Sequence, residues 1–106
     1  MILKHLNEEV VNFDGRPEVY EVVNDTATFW TLSHIIRTLM KNLAKDEEHS
    51  FEDRVLASNI GVRLRDTDDK EVEISESEFN LIKSTGENHC HPVLLELFNK
   101  AIRDCK

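Results

Sequence analysis

No apolar run in this sequence approaches the roughly 20 residues that a membrane-spanning helix needs. The opening Met1-Ile-Leu-Lys-His-Leu-Asn-Glu8 also lacks the continuous apolar stretch of a secretory signal. Neither a membrane role nor export is therefore expected. There are only three glycines and two prolines in 106 residues, too few for a loop-dominated or repetitive chain. Only two cysteines occur, Cys90 and Cys105, so no disulfide framework is expected. If 92–104 is helical, the two flank it about 20 Å apart, well beyond the roughly 7 Å that a disulfide spans. Free thiols fit a reducing, cytosolic setting. Cations are also scarce: 13 Lys and Arg stand against 21 Asp and Glu, for a net charge of −8. Such a surface repels phosphate backbones and anionic lipid, so nucleic acid and membrane are not expected partners.

What remains is one domain of ordinary size, rich in helical patterning. Residues 1–28 read as a β-hairpin arm. Val10-Val11-Asn12-Phe13 runs into Asp14-Gly15, and Val19-Tyr20-Glu21-Val22-Val23 follows before a further turn at Asn24-Asp25. Pro17 has no N–H to give a ladder, so the second strand begins after it or lies on an edge. Residues 31–105 read as a four-helix body. Thr31 caps a first helix whose Leu32, Ile35, Ile36, Leu39, Met40 and Leu43 share one face. Arg37, Lys41 and Lys45 step by four along another face, either a docking stripe or simply solvated cations near a helix C-terminus. Ser50 caps a second helix with Phe51, Val55, Leu56, Ile60 and Leu64 as apolar positions. Gly61 inside it implies close packing or a soft point. Val72 and Ile74 alternate with glutamates, as in a short half-exposed strand that can pair with the hairpin. Ser75 and Glu78 form a capping box for a third helix carrying Phe79, Leu81 and Ile82, which is expected to stop near Gly86. His91-Pro92 opens a final helix bearing Leu94, Leu97, Phe98, Ala101, Ile102 and Cys105. The expected class is therefore α+β, mostly helical, with one short strand between the second and third helices.

The segment Asp66–Glu78 carries seven carboxylates against the single Lys70, which raises the question of calcium. A twelve-residue binding loop beginning at Asp66 places Asp68 well but puts Lys70 where a ligating oxygen is needed. It also puts Glu71 where the sharp turn wants glycine and Ser77 where a bidentate glutamate closes the site. Starting at Asp68 or Asp69 leaves Glu73 or Ile74 at the glycine position. The stretch reads instead as a solvated connection whose Glu76 and Glu78 suit the positive end of the third helix. His89-Cys90-His91 offers zinc-type ligands, yet adjacent residues seldom reach one ion, and His5, His34 and His49 are scattered. No nucleophile elbow, phosphate-cradling loop or His-Glu-x-x-His helix occurs, so neither catalysis nor a cofactor is expected. The third and fourth helices can be drawn as a helix-turn-helix, but Glu96, Asn99, Lys100 and Arg103 make a thin basic supply. Trp30, the only tryptophan, is expected to pack the arm on the helices, or to anchor an interface if exposed. The candidate partner-binding residues are thus Trp30 and the carboxylates Asp66, Asp68, Asp69, Glu71 and Glu73, which suit a basic protein surface.

Phe13-Asp14-Gly15-Arg16-Pro17, Trp30-Thr31-Leu32, Val72 through Lys83 and Pro92-Val93 before a Leu-rich helix occur here in that order. This resembles a family of small tailed-phage and prophage proteins with a Phe-Asp-Gly-Lys-Pro-like turn and a Leu-Thr-Leu helix start. Val-Glu-Leu-Thr and a proline-led last helix complete the family pattern. His89-Cys90-His91 stands where the family has a plainer linker. The resemblance implies a non-enzymatic accessory protein in the host cytoplasm or on the virion, acting by binding another protein. It brings no catalytic residues. An acidic regulatory protein or DNA mimic, and a metal-binding domain, are the alternatives, and the oligomeric state is open.

Overall fold

The computed structural model describes residues 1–106. The fold is α+β, with four helices and two separate antiparallel strand pairs. In order they are β1 (Ile2–Leu3), β2 (Val19–Val23), β3 (Thr26–Phe29), α1 (Leu32–Lys45), α2 (Phe51–Arg65), β4 (Val72–Glu73), α3 (Glu76–His89), a 3-10 turn (Pro92–Leu94) and α4 (Leu95–Asp104).

The helices begin where the capping residues indicate. The hydroxyls of Thr31, Ser50 and Ser75 accept the backbone N–H groups of His34, Asp53 and Glu78, which would otherwise lack partners. At Ser75 the box is complete, because its own N–H donates to Glu78 Oε1 at 2.8 Å. Glu78 is buried and also takes Arg63 Nη1 at 3.0 Å, with Nη2 lying 2.9 Å from the second oxygen. Burial pushes this carboxyl up, but the guanidinium and the Ser75 N–H outweigh it, so it stays ionised below the ordinary glutamate range.

α1 is the hub. All six of its patterned apolar residues are buried, and the helix packs against α2, α3 and α4. The first ten residues depart from the expected arm, since Leu3, Leu6 and Val10 enter the core at 0–2% exposure. β1 holds them there by pairing with β4 in the register Ile2↔Glu73 and Leu3↔Val72. The strand between the second and third helices therefore joins the start of the chain and not the hairpin. The hairpin itself turns at Asn24-Asp25, whose φ angles of 51° and 63° make the left-handed turn that two twisted strands require. At Asp14-Gly15 only one bridge forms, Val11↔Pro17. The Asn12 side chain takes the N–H groups of Asp14 and Arg16 there, and Pro17 has none to offer, so no ladder propagates.

Two further expectations change. Phe51 and Val55 are not core residues; they are 77% and 41% exposed, while Ala57, Ile60 and Leu64 form the inner face of α2. Gly86 does not end α3, which runs on to His89. A Cβ at Gly86 would lie 1.9–2.6 Å from the Phe98 ring, so its small size lets α3 and α4 approach. Gly61 is the opposite case: nothing lies within 4 Å of the place its Cβ would take.

The two helical glycines should consequently respond with opposite signs. Gly86→Ala should destabilise by about 1–3 kcal/mol through overpacking, and Gly61→Ala should stabilise by about 0.5–1 kcal/mol through helix propensity. Urea unfolding of both variants checks this; equal signs would refute the packing assigned to Phe98. The lowered Glu78 pKa gives a second expectation, because its contribution is present above the unfolded value near 4.5 and disappears as the pH falls through the folded value. Glu78→Gln should cost about 1 kcal/mol at pH 7, a modest figure because Arg63 is 41% exposed. The gap to the wild type should close on acidification, and a gap that persists in acid would exclude the ion pair as its source.

Candidate functional site

The β2–β3 hairpin stands apart from the core. Every residue of β2 is exposed, and β2 and β3 pair only with each other. Six large apolar side chains of the hairpin and the turn that leads into it are exposed wholly or in part, namely Val11 and Phe13 in the turn and Val19, Tyr20, Val22 and Val23 in β2, with Phe13 at 87% exposure. A lone two-stranded ribbon is marginally stable in water, so its root matters. Val10 N–H donates to the Trp30 carbonyl at 2.8 Å, and Trp30 N–H donates to the Glu18 carbonyl at 2.8 Å. The Tyr20 ring meets Trp30 edge-on with centroids 4.9 Å apart and stacks on His34 at 4.8 Å. Burial, then the nearby Arg37, hold the His34 imidazole below its ordinary pKa, which keeps the ring neutral for that stack. Trp30 thus packs the arm onto α1, at the junction where the sequence places it.

Beneath the arm lies a cavity of about 290 Å³ walled by Trp30, Ile35, Leu39, Val93 and Leu94, with Glu18, Thr38, Asn42 and the His89-Cys90-His91 segment at its polar edge. A neighbouring depression of about 340 Å³ shares Leu39, Asn42 and His89 and continues toward Asp46 and His49. The His-Cys-His run therefore borders an apolar groove. Its members do separate work: His89 ends α3, the Cys90 N–H donates to the Gly86 carbonyl at 3.0 Å, and His91 Nδ1 accepts the Val93 N–H at 3.2 Å. No group of three or more His, Cys, Asp or Glu side chains is arranged to hold a metal ion. Burial pushes the Cys90 thiol up to about 11, so it remains protonated and poorly nucleophilic.

The acidic candidates lie elsewhere. Asp66 caps α2 and pairs with Arg65 at 2.9 and 3.2 Å, which lowers its carboxyl pKa. Asp68, Asp69, Glu71 and Glu73 all face solvent. Asp69, Glu71 and Glu73 border an open depression with Ile2, Lys70 and Val72 that shares no residue with the groove under Trp30. The structure thus brings Asp69, Glu71 and Glu73 to one depression, leaves Asp66 and Asp68 outside it, and keeps Trp30 apart from all five. Sequence reasoning did not single out Phe13, Tyr20, Val22 and Val23 as surface residues. One signal was present: Val19, Tyr20, Val22 and Val23 break the alternation of a half-buried strand, leaving apolar groups on both faces. No helix is long and apolar enough to cross a membrane.

Raising the thiol from 9.0 to about 11 cuts its thiolate fraction near neutral pH by about a hundredfold. Iodoacetamide should therefore label Cys90 much more slowly in the folded protein than in urea, as read by peptide mass spectrometry; equal rates would remove the shielded thiol. Compared with protein-family models, curated proteins and solved structures, the chain matches none.

Proposed function

We propose that this chain is a non-enzymatic accessory protein of the phage type that acts by binding another protein, in virion assembly or as a modulator of a host protein. The observation that carries the reading is the β-arm, a two-stranded ribbon with apolar side chains on both faces and a free edge on each strand. Open strand edges are templates for an added strand, and side-chain contacts on the two faces supply specificity. The groove beside Trp30 extends this surface by a cavity large enough for one or two partner side chains. The sequence resemblance to small phage proteins points to the same class, through motifs that are mostly turns and caps.

A second reading rests on the exposed carboxylates Asp66, Asp68, Asp69, Glu71 and Glu73, which suit a basic protein surface and, in the extreme, imitation of DNA toward a DNA-binding protein. The two readings use different residues, which makes them separable. Phe13→Ser with Val22→Thr should reduce capture of a stoichiometric partner from infected-cell or host lysate at least about tenfold. Stability should hold within about 0.5 kcal/mol, because both side chains already face water. Capture that survives these changes but fails on Asp68→Lys with Asp69→Lys would replace the first reading by the second. Failure to recover any partner with the wild-type protein would count against both.

A further inference from the structure

α2 is apolar on two opposite faces. Its inner face is core, but Phe51, Val55 and Val62 remain 77%, 41% and 45% exposed. At 100° per residue, Phe51, Val55 and Val62 fall within about 40° of arc, with the polar Ser58 beside them, directly away from Ile60 and Leu64. Nothing in the monomer covers this stripe. Beside it, between α1 and α2, runs a groove of about 370 Å³ whose floor includes Met40, Ala44, Gly61 and Val62. Its rim is Arg37, Lys41, Lys45 and Arg65, and no carboxylate lines it, although the chain as a whole carries a net charge of −8.

The charges on stripe and rim are complementary. Phe51 is surrounded in sequence by the exposed Glu47, Glu48 and Glu52. Lys41 and Lys45 form no ion pair within the chain, and Arg37 donates only to the Ser33 carbonyl. Arg65 is partly neutralised by Asp66. Gly61 supplies a separate indication. Glycine inside a helix costs about 1 kcal/mol relative to alanine, and here no neighbour within the molecule requires its small size. Its effect is to keep the groove floor open.

We propose that this face is a homodimer interface: the Phe51–Val62 stripe of one copy fills the α1–α2 groove of a second, and the exchange is reciprocal about a two-fold axis. A phosphate-bearing ligand would satisfy the cations but leave the apolar floor and the stripe exposed. A second copy covers stripe and groove together and places Glu48 and Glu52 against Lys41 and Lys45. Reciprocity follows because both halves of the contact lie on the same face of each chain. The net charges repel only weakly at physiological salt, where the Debye length is about 8 Å. The local complementarity therefore decides the encounter.

Analytical ultracentrifugation of the full chain over a wide concentration range tests this. The wild type should show a concentration-dependent monomer–dimer equilibrium. Val62→Glu and Gly61→Leu should each weaken it at least about tenfold, and circular dichroism should show both variants folded, since neither site is packed inside the monomer. Lys41→Glu with Lys45→Glu should be monomeric alone, as should Glu48→Lys with Glu52→Lys, and an equimolar mixture of the two should form the heterodimer. A wild type that stays monomeric, a dimer indifferent to Val62→Glu or Gly61→Leu, or a mixture that fails to associate would each overturn the proposal. The β-arm variants should leave the dimer intact, so failure here and failure of the partner-binding reading are distinguishable.

Discussion

The inner face of α1 is the constraint on which the rest of the structure depends. Six apolar side chains along four turns must leave water, each contributing about 1.5–3 kcal/mol when fully buried. A single helix cannot cover itself. α2, α3 and α4 supply walls, and Leu3, Leu6 and Val10 close the remaining side. The short β1–β4 pairing follows from that need, because it pins the leucines without occupying much sheet. Only 22 of 106 residues are buried, and 19 of them form the single apolar cluster that includes this face. Apolar groups on the β-arm and the outer side of α2 are left in water for want of anything to cover them.

Local determinants were readable from residues alone. Thr31, Ser50, Ser75 with Glu78, and His91-Pro92 each mark a helix start through bonds made within a few positions, and each cap is present. Long-range determinants were not. Nothing within Ile2–Leu3 announces a partner some seventy residues away, since a two-residue strand has no periodicity to read. α2 starts at its Ser50 cap as expected, but Phe51 and Val55 lie outside the core, because helical spacing identifies apolar positions without saying which of two faces meets the core. Phe51 and Val55 fit one pattern and Ile60 and Leu64 another. Gly86 looked like a stop because glycine often adopts the left-handed C-terminal conformation. Here it is helical, and its missing side chain is occupied by a Phe98 ring from a segment that local reading cannot place beside it.

The site divides along the same line. Trp30 could be placed at the arm–helix junction from its position before a capped helix, and its contacts to Tyr20 and the arm backbone lie there. The groove beneath it draws on α1, the end of α3 and the start of the 3-10 turn, so its existence depends on how the helices cross. His89-Cys90-His91 illustrates the difference. Read as composition it offers zinc-type ligands; in the fold His89 is the last residue of α3, the Cys90 thiol is shielded by burial and the His91 side chain caps the 3-10 turn. Ligand-type residues matter only where the backbone converges them.

Charge segregation sharpens this point. An excess of carboxylates by itself says little beyond solubility and repulsion from phosphate. The informative feature is that the fold sorts the minority charge. Arg37, Lys41 and Lys45 are spaced by one helical repeat and meet Arg65 across the groove, while Asp68, Asp69, Glu71 and Glu73 face solvent beyond the C-terminus of α2. Dispersed cations would be neutralised singly by neighbouring carboxylates, as Lys100 is by Glu8 at 2.7 Å. Arg37, Lys41 and Lys45 have no such carboxylate partner, and they lie over an apolar floor beside an unpartnered apolar stripe. The surface complementary to such a row is acidic and apolar in the same place, and on this molecule the start of α2, with Glu48, Phe51 and Glu52, has that character.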